Sequence, residues 1–396
     1  MLNDEVRTGA YAHAIAAQAS IRNGGVVLDV GAGTGILSIM CALAGARKVY
    51  AVEASDMAFK MKEIVKANGV EDIVTIIHSR LEDVELPEKV DVVVSEWMGM
   101  ALLFESMWEP VLLARDRWLK PEGSMLPSKV EIFAAPLEVK EYWQEKVKMW
   151  DDVWGLNMSP LVDKAKEAFL VQPLFDLVLK PKQLIGDGEK VITIDMMNVQ
   201  PDDMSRFSHT WTVRVRRDSN IHGIATWFVC IFEKPSEEDD TTSTTLELTE
   251  NSKRFQQLER AIAALEKSLQ SRILDEDSSS DHTYSRYDEE GNDGDNGPVG
   301  TWLSSWWLPS TSKKVECPPN GIVALDTSPL SPHTHWGQTV LLFDDEHSLE
   351  AGDEVGLKFV MERNMEHQRH YRMTIEASPT ELPDPWYELK WFCLWK

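Results

Sequence analysis

The chain has 396 residues, of which 43% are hydrophobic, and its formal net charge at pH 7 is −25. This length accommodates two or three domains, and no apolar run reaches the ~18 residues typical of a membrane-spanning helix. So acidic a surface argues against direct nucleic-acid binding and favours cationic partners, although solubility alone explains the charge equally well.

The four cysteines are far apart and form no CxxC pair: Cys41, Cys230, Cys317 and Cys393. Such usage is typical of a reducing compartment and predicts neither a disulfide framework nor a zinc site, so we expect no metal. The first residues, MLNDEVRTGAYAHAIAAQAS, lack the basic and then apolar layout of a secretory signal.

Residues 1 to about 127 alternate short β-rich segments with helical segments. Predicted strands cover 26–30, 48–53, 74–78 and 90–95, and predicted helices cover 36–45 and 58–68. The last of these strands, VDVVVS, is almost continuously β-branched, as expected for a strand buried on both faces. This alternation predicts a parallel sheet covered by helices.

A glycine-rich loop, from Gly31 through Gly33 to Gly35, follows the first predicted strand and opens the first predicted helix. Glycines there allow a tight turn and a close approach of the backbone to a ligand. Glu53 ends the next strand, where a carboxylate can accept both ribose hydroxyls of an adenosine. The loop does not by itself identify the cofactor, but its spacing GxGxG differs from the GxGxxG of dinucleotide sites. A nicotinamide dinucleotide is therefore a weaker alternative to S-adenosylmethionine, and a loop without a ligand is weaker still, because the start of a helix rarely needs three glycines.

Two acids, Glu96 and Glu105, follow the predicted strand at 90–95 and flank the apolar run WMGMALLF. Ligands of such sheets bind at the carboxyl ends of the strands, so both acids are expected at the mouth of the site. A guanidinium is planar and cationic and fits carboxylates in forked geometry, so this pair could bind and polarise one. Solvation at the surface is the usual explanation for acids at this spacing, and the apolar surroundings argue against it.

From about Pro127 the chain changes to short alternating segments separated by turn residues, which predicts an antiparallel β-sandwich or barrel. A helical arm at about 139–170 interrupts the pattern and carries Trp143, Trp150 and Trp154. Exposed aromatics on such a segment indicate a protein interface, and packing on the chain's own barrel is the alternative.

A strongly acidic insertion covers about 236–315, and its low apolar content predicts that it is largely disordered. Within it, apolar residues at spacings of three and four predict one amphipathic helix over 252–274. Trp302, Trp306 and Trp307 follow later. The helix is either a partner-binding element on a flexible tether or part of a tolerated surface expansion.

The sequence closely resembles the protein arginine N-methyltransferases in the motifs DEVRTGAY, VLDVGAGTGILS, AGARKVYAVEAS, VDVVVSEWMG, ARDRWLKPEG and SPHTHWGQT. These motifs run in the family's order and exclude the insertion. The resemblance implies an α/β Rossmann-like methyltransferase domain at 1–127 and an antiparallel β-barrel substrate domain at 128–396. It also implies that the helical arm makes a head-to-tail homodimer.

Roles carried over by matching motif fall into three groups. The cofactor, S-adenosyl-L-methionine, would be bound by Arg7, Asp29, Gly31, Gly33, Glu53, Ala54, Glu82 and Met107. The catalytic residues would be Glu96 and Glu105, which clamp the substrate guanidinium, and the acid–histidine pair Asp4 and His335. Trp336 and Met100 would contact the substrate, and Met100 stands where relatives usually have tyrosine.

The resemblance further implies transfer of a methyl group to arginine nitrogens of proteins such as histone tails or RNA-binding, Gly/Arg-rich proteins. Met107 and Trp336 are similar to the asymmetric-dimethylating, type I class, and HGIATWF is nearest the sixth, nuclear subgroup. We therefore expect mono- and asymmetric dimethylarginine, in the nucleus or cytoplasm, without membrane or direct nucleic-acid binding.

Two alternatives to this activity stay open. The chain begins where the family's tyrosine-rich lid helix would end, which leaves a catalytically weak or inactive regulatory homologue as one alternative. A small-molecule methyltransferase, which would not need the two glutamates, is the other.

Overall fold

A computed structural model describes residues 2–175, 177–233, 250–279, 322–380 and 387–393. In this part of the chain a parallel sheet precedes two antiparallel sheets. The predicted fold class, a Rossmann-like α/β domain followed by an antiparallel β-barrel domain with a helical arm, is confirmed.

The parallel sheet has the strand order β3-β2-β1-β4-β5. Its strands are β1 (Val26–Val30), β2 (Lys48–Glu53), β3 (Val74–His78), β4 (Val90–Val94) and β5 (Leu119–Leu126). All five residues of β1 are buried, which explains its apolar composition. The order reverses between β1 and β4, so the carboxyl ends of these two strands form the crevice in which open α/β sheets bind ligands.

The helices of this domain are α1 (Glu5–Ala17), α2 (Ala19–Arg22), α3 (Ile36–Ala44), α4 (Met57–Ala67) and α5 (Trp108–Trp118). Asp4 caps α1 by accepting a hydrogen bond of 2.9 Å from the Arg7 N–H, which satisfies one of the free donors of the first turn. Ten of the 13 residues of α1 are buried, so other elements surround this helix on most sides.

The C-terminal domain contains two antiparallel sheets, β10-β9-β6-β7 with β11 also paired to β9, and β14-β13-β12-β8. Side chains of both sheets, such as Ile132, Phe343 and Met361, meet in one core. The strands are β6 (Lys129–Leu137), β7 (Glu189–Asp195), β8 (Arg206–Arg214), β9 (Ser219–Phe232), β10 (Val323–Asp326), β11 (Thr339–Leu349), β12 (Glu354–Arg363), β13 (Tyr371–Pro379) and β14 (Glu388–Cys393).

The helical arm contains α6 (Lys140–Lys146) and α7 (Val162–Phe169). Trp143 is buried at its base beside His222, with ring centroids 5.1 Å apart, so the expectation of an exposed aromatic is wrong at this position. Trp154, in a turn with φ 59°, is 97% exposed. The arm is thus anchored by one tryptophan and presents another to solvent.

The helix predicted within the insertion is confirmed as α8 (Glu250–Ser279). Its buried residues Leu258, Ile262 and Leu269 join the main core, and the helix packs against α1 and α3. The apolar face that sequence analysis offered to a partner is therefore occupied by the chain itself. The predicted disorder at 236–249 and 280–315, the three tryptophans there and Cys317 lie outside the described residues. In the described part of the chain, no helix has both the length and the apolar character to cross a bilayer.

Candidate active site

The glycine loop and Glu53 are in direct contact at the carboxyl ends of β1 and β2. The Gly33 N–H donates to Glu53 Oε2 at 2.8 Å, and the Ser55 N–H donates to Oε1 at 2.8 Å. Each carboxylate oxygen accepts one bond and keeps acceptor capacity for a hydroxyl group. Ala54, between the two, is exposed. The two halves of the predicted cofactor site are thus brought together, and Glu53 is oriented by the loop backbone.

The loop surface is open on the side where a ligand would lie. Gly31, Gly33 and Gly35 have φ values of 71°, 56° and 83°, at which a side chain would be strained. A Cβ on Gly33 would meet nothing nearer than 3.9 Å, and one on Gly31 would meet only Met107 Cε at 3.9 Å. A Cβ on Gly35 would lie 2.7 Å from Met61 Cγ, so this glycine is needed for helix packing. Gly31 and Gly33 leave free space, and Met107 borders it.

Asp29, at the end of β1, is 1% exposed and accepts a hydrogen bond of 2.6 Å from Ser38 Oγ. Burial raises its pKa to about 7, and the bond from Ser38 offsets only part of that effect. A carboxyl with this pKa changes between its neutral and its charged form near neutral pH. A cationic group placed beside it would stabilise the charged form.

Arg7 of α1 forms a buried ion pair with Glu96, the residue that follows β4. Arg7 Nη1 lies 2.8 Å from Glu96 Oε2, and the two side chains are 6% and 10% exposed. Burial raises the pKa of Glu96, and the attraction of Arg7 does not fully offset it. Arg7 Nε is buried without a hydrogen-bond partner among the described residues. This guanidinium therefore retains a donor for an anionic group, as its predicted contact with a cofactor carboxylate requires.

Asp4 and His335 form a second pair beside the first. The His335 Nδ1–H and backbone N–H both donate to Asp4 Oδ2, at 2.6 Å and 2.9 Å. Burial alone would raise the pKa of Asp4, but the bonds from His335 and the Arg7 backbone outweigh it and leave the pKa below its ordinary value. The Asp4 carboxylate therefore holds the imidazole through Nδ1, which leaves Nε2 to exchange a proton.

Trp336 links the barrel domain to the loop after Glu96. Its ring lies 3.8 Å from that of His335 by centroid, and its Nε1–H donates to the Met98 carbonyl at 2.9 Å. Trp336 is 4% exposed, and Met100, two residues after Met98, is half-buried. A side chain of the second domain thus fixes the loop that carries the acids.

Glu105 is placed differently from Glu96. Its N–H donates to the Arg369 carbonyl at 2.8 Å, and Arg369 Nε donates to the Glu105 carbonyl at 2.9 Å. Its side chain is exposed, and among the described residues it makes no hydrogen bond or ion pair. The structure thus joins Arg7 to Glu96 and leaves the Glu105 carboxylate in solvent, so its clamp role stays a prediction. The loop is strained by positive φ values at Ala101, Leu102, Glu105 and Ser106.

Glu82, the predicted adenine contact, lies in the turn Leu81–Asp83 with its side chain 45% exposed. A hydrogen bond from its own backbone lowers its pKa, and Arg80 at 3.4 Å adds to that effect. Its contact with adenine also stays a prediction.

Sequence analysis missed Tyr11 and Arg369. Tyr11 is buried, and its hydroxyl donates to the Ser95 carbonyl at 2.8 Å, directly before Glu96. Its spacing of four from Arg7 places both on one face of α1, which was a usable signal. Arg369 bonds a segment 264 residues away in sequence, so no local pattern indicated it.

Comparison with protein families gives two matches. Residues 128–257 and 303–381 match the arginine methyltransferase oligomerization subdomain. Residues 13–126 match the ribosomal protein L11 methyltransferase family. The chain is thus similar to methyltransferases in both of its parts.

Curated relatives carry arginine methyltransferase names. A probable protein arginine N-methyltransferase 6 of Arabidopsis thaliana is 32% identical over 385 residues, which cover 96% of this chain and 75% of the relative. A probable protein arginine N-methyltransferase 6.1 of Oryza sativa subsp. japonica is 44% identical over 253 residues. That alignment covers 62% of this chain and 63% of the relative, which is less than two thirds of its length.

Two solved structures of arginine methyltransferases align with this chain. The Trypanosoma brucei PRMT1 enzyme–prozyme heterotetrameric complex with AdoHcy aligns with a TM-score of 0.72 and 27% identity, over 100% of this chain and 96% of that one. Arabidopsis thaliana protein arginine methyltransferase 10, in an open conformation, aligns with a TM-score of 0.69 and 27% identity, over the same shares of the two chains.

Proposed function

This chain belongs to the protein arginine N-methyltransferase family, and from that premise we propose that it methylates arginine side chains of other proteins. The observation that carries the proposal is the ion pair of Arg7 and Glu96, buried at the crevice beside β4. Glu96 accepts from Arg7 through Oε2, and its carboxylate keeps acceptor capacity with which it can bind a second guanidinium, supplied by a substrate.

The methyl donor is S-adenosylmethionine. The residues present fit it, because Glu53 has acceptor capacity for ribose hydroxyls, Arg7 Nε has no partner within the described part of the chain and the backbone at Gly33 is open. Asp29, with a pKa of about 7, would hold a cationic amino group. When bound, this molecule supplies an electrophilic methyl carbon on a sulfonium, and transfer to a guanidinium nitrogen releases one proton and S-adenosylhomocysteine.

The chain's own residues would then act on the substrate guanidinium in two ways. Glu96 binds it and polarises it in a site with little water, where such interactions are strong. Glu105 completes the clamp when its side chain turns inward from solvent. His335, held at Nδ1 by Asp4, accepts the released proton at Nε2.

We further propose that the enzyme is type I and makes mono- and asymmetric dimethylarginine. Met107, next to Gly31, and Trp336, buried under His335, are the two positions where the sequence is similar to that class. Met100 and Trp336 would line the path of the substrate side chain. Hydrolysis of the product and separation of the dimethylarginine isomers by mass spectrometry tests this, and symmetric dimethylarginine would contradict it.

The proposed substrates are cationic protein segments with exposed arginines, such as histone tails and Gly/Arg-rich RNA-binding proteins. The net charge of −25 supports this, because it attracts such segments over long range at low salt. The proposed location is accordingly the nucleus, the cytoplasm or both. We also propose a homodimer, since the arm presents Trp154 to solvent and the chain matches an oligomerization subdomain.

One observation favours the second candidate, a weakly active or inactive regulatory homologue. In this structure the Glu96 carboxylate forms an ion pair with Arg7, and the Glu105 side chain is exposed to solvent. The two carboxylates therefore do not face one guanidinium. Turnover therefore requires Glu105 to move inward and Glu96 to accept the substrate beside Arg7. The size of the wild-type rate decides between the two candidates.

The experiment uses the full chain, methyl-labelled S-adenosylmethionine and either histones or a Gly/Arg-rich peptide. We expect the wild type to label arginine. Glu96→Gln should abolish labelling while equilibrium dialysis still detects cofactor binding. Glu63→Gln, at an exposed position on α4, is the matched control and should retain full activity. Methylation that survives in Glu96→Gln would exclude the clamp role, and no labelling by the wild type would favour the regulatory homologue.

A further inference from the structure

One arginine of α8 bonds two segments of the candidate active site at once. Arg272 Nη1 donates to Glu5 Oε2 at 2.8 Å, and Arg272 Nη2 donates to the His333 carbonyl at 3.1 Å. Ser268, one turn earlier on α8, donates through Oγ to Glu5 Oε1 at 3.1 Å. Both oxygens of the Glu5 carboxylate are therefore held by α8.

The two segments that Arg272 joins are those that form the acid–histidine pair. Glu5 directly follows Asp4, and His333 precedes His335 by two residues. The hydrogen bond of 2.6 Å between Asp4 and His335 joins residues 331 apart in sequence and connects two domains. A single guanidinium therefore spans the junction at which this pair is assembled.

The helix that carries Arg272 is held in place by buried side chains. Leu258, Ile262 and Leu269 are at most 3% exposed and fix α8 against α1 and α3. Because a guanidinium presents its donors in a planar fork, two bonds from one side chain set the spacing of their two acceptors. Arg272 and Glu5 are 36% and 19% exposed, so solvent only partly screens their ion pair.

We propose that Arg272 is a positioning residue that sets the alignment of Asp4 with His335, and thereby the place where the substrate proton is accepted. The proposal rests on the proposed methyltransferase activity. It gives the helix within the acidic insertion a specific task, because α8 delivers this side chain to the active site. In this proposal Arg272 acts through Glu5 and the His333 carbonyl and is assigned no contact with the substrate or the cofactor.

The test compares Arg272→Met with Arg254→Met in the full chain. Arg254 lies near the start of the same helix and forms an ion pair of 3.1 Å with Asp72. Because this pair also connects α8 to the rest of the protein, Arg254→Met controls for weakened docking of the helix. We expect kcat for a Gly/Arg-rich peptide to fall ~10- to 100-fold in Arg272→Met, because small displacements of reacting groups have effects of that size. The peptide KM, the cofactor Kd and Tm should stay close to those of Arg254→Met.

Two further variants separate positioning from a general loss of structure. Arg272→Lys keeps a cation near Glu5 but loses the fork, so it should recover kcat in part. In a His335→Ala background, Arg272→Met should cause no further loss, because its effect acts through His335. An equal fall in kcat in Arg272→Met and Arg254→Met would overturn the proposal, as would independent, multiplicative losses in the double variant.

A readout without substrate distinguishes failure of this proposal from failure of the proposed function. The N–H groups of Arg7 and His335 both donate to the Asp4 carboxylate, so their hydrogen exchange reports on the pair directly. Exchange of peptides containing these residues should be ~10-fold faster in Arg272→Met than in Arg254→Met. Unchanged exchange overturns the positioning role. Faster exchange in a chain that methylates nothing supports the link, while the enzymatic proposal fails.

Discussion

The buried carboxyl of Asp29 should make the stability of the protein fall as pH rises, and Asp29→Asn should remove that dependence. Its pKa is about 7 in the folded protein, against an ordinary value of 3.8, because burial disfavours the charged form. The folded state therefore binds the proton more tightly than the unfolded state does. The resulting stabilisation is fully present below pH 3.8 and is lost as pH rises through about 7.

The magnitude follows from the size of this shift. Each pKa unit corresponds to about 1.4 kcal/mol, so the whole shift of roughly three units gives an upper bound of ~4 kcal/mol. About two of those units lie between pH 5 and pH 7. The free energy of unfolding of the wild type should therefore fall relative to that of Asp29→Asn by up to ~3 kcal/mol between pH 5 and pH 8.

The assay is urea denaturation of the wild type and Asp29→Asn at several pH values from 5 to 8. The difference between their free energies of unfolding at each pH cancels the contribution of titratable groups that both proteins share. Asp91→Asn is the matched control, because bonds from Lys120 and Val26 outweigh burial and leave the pKa of Asp91 below its ordinary value. The stabilisation that Asp91 provides is lost only as pH falls below 3.8. The difference in the free energy of unfolding between the wild type and Asp91→Asn should therefore be constant from pH 5 to 8. A flat difference for Asp29→Asn as well would refute the reasoning.

Three further predictions test other parts of the structure. Leu258→Ala should lower the free energy of unfolding by ~2–5 kcal/mol, because this α8 side chain is fully buried. Ile273→Ala, at an exposed position of the same helix, should change it little, and chemical denaturation measures both variants. Trp154→Ala should leave Tm unchanged but weaken self-association more than ~10-fold in analytical ultracentrifugation, because an exposed tryptophan that docks on a partner is a typical hot spot. Glu53→Gln should raise the Kd for S-adenosylmethionine ~10-fold or more in calorimetry, since an amide cannot accept with both of its terminal groups; an unchanged Kd would contradict the assigned ribose contact.

Among the four strands that sequence analysis predicted, the central strands β1, β2 and β4 share one cause for their pattern. Residues such as Val92 to Val94 are buried on both faces, so almost every position is apolar and β-branched. β5 was missed for a different reason: it contains Pro121 and Gly123, which weaken a strand signal, and its middle residues, 120–124, are not buried. An interrupted apolar pattern therefore hid β5, whereas β3, at the opposite edge of the sheet, was predicted over its observed bounds.

The candidate site divides in the same way. The contact of Gly33 with Glu53 follows from strand order, because both lie at the carboxyl ends of neighbouring parallel strands. The pairing of Asp4 with His335 came only from the resemblance, since nothing local connects residues that far apart. The periodicity of α8 indicated which residues are buried but not what covers them. The docking of α8 on α1 therefore required the structure.

Helix α1 connects these observations. The hydrophobic residues of α1 are largely alanine, and each alanine buries little area. Hydrophobic packing alone therefore restrains the position of this helix only weakly. Its position is instead determined by polar contacts in four directions: Asp4 to His335, Arg7 to Glu96, Tyr11 to Ser95 and Glu5 to α8. Three of these contacts belong to the candidate active site, and the fourth comes from outside it. A force that shifts α8 must therefore shift α1, and with it every charged group that the proposed reaction uses on that side of the crevice.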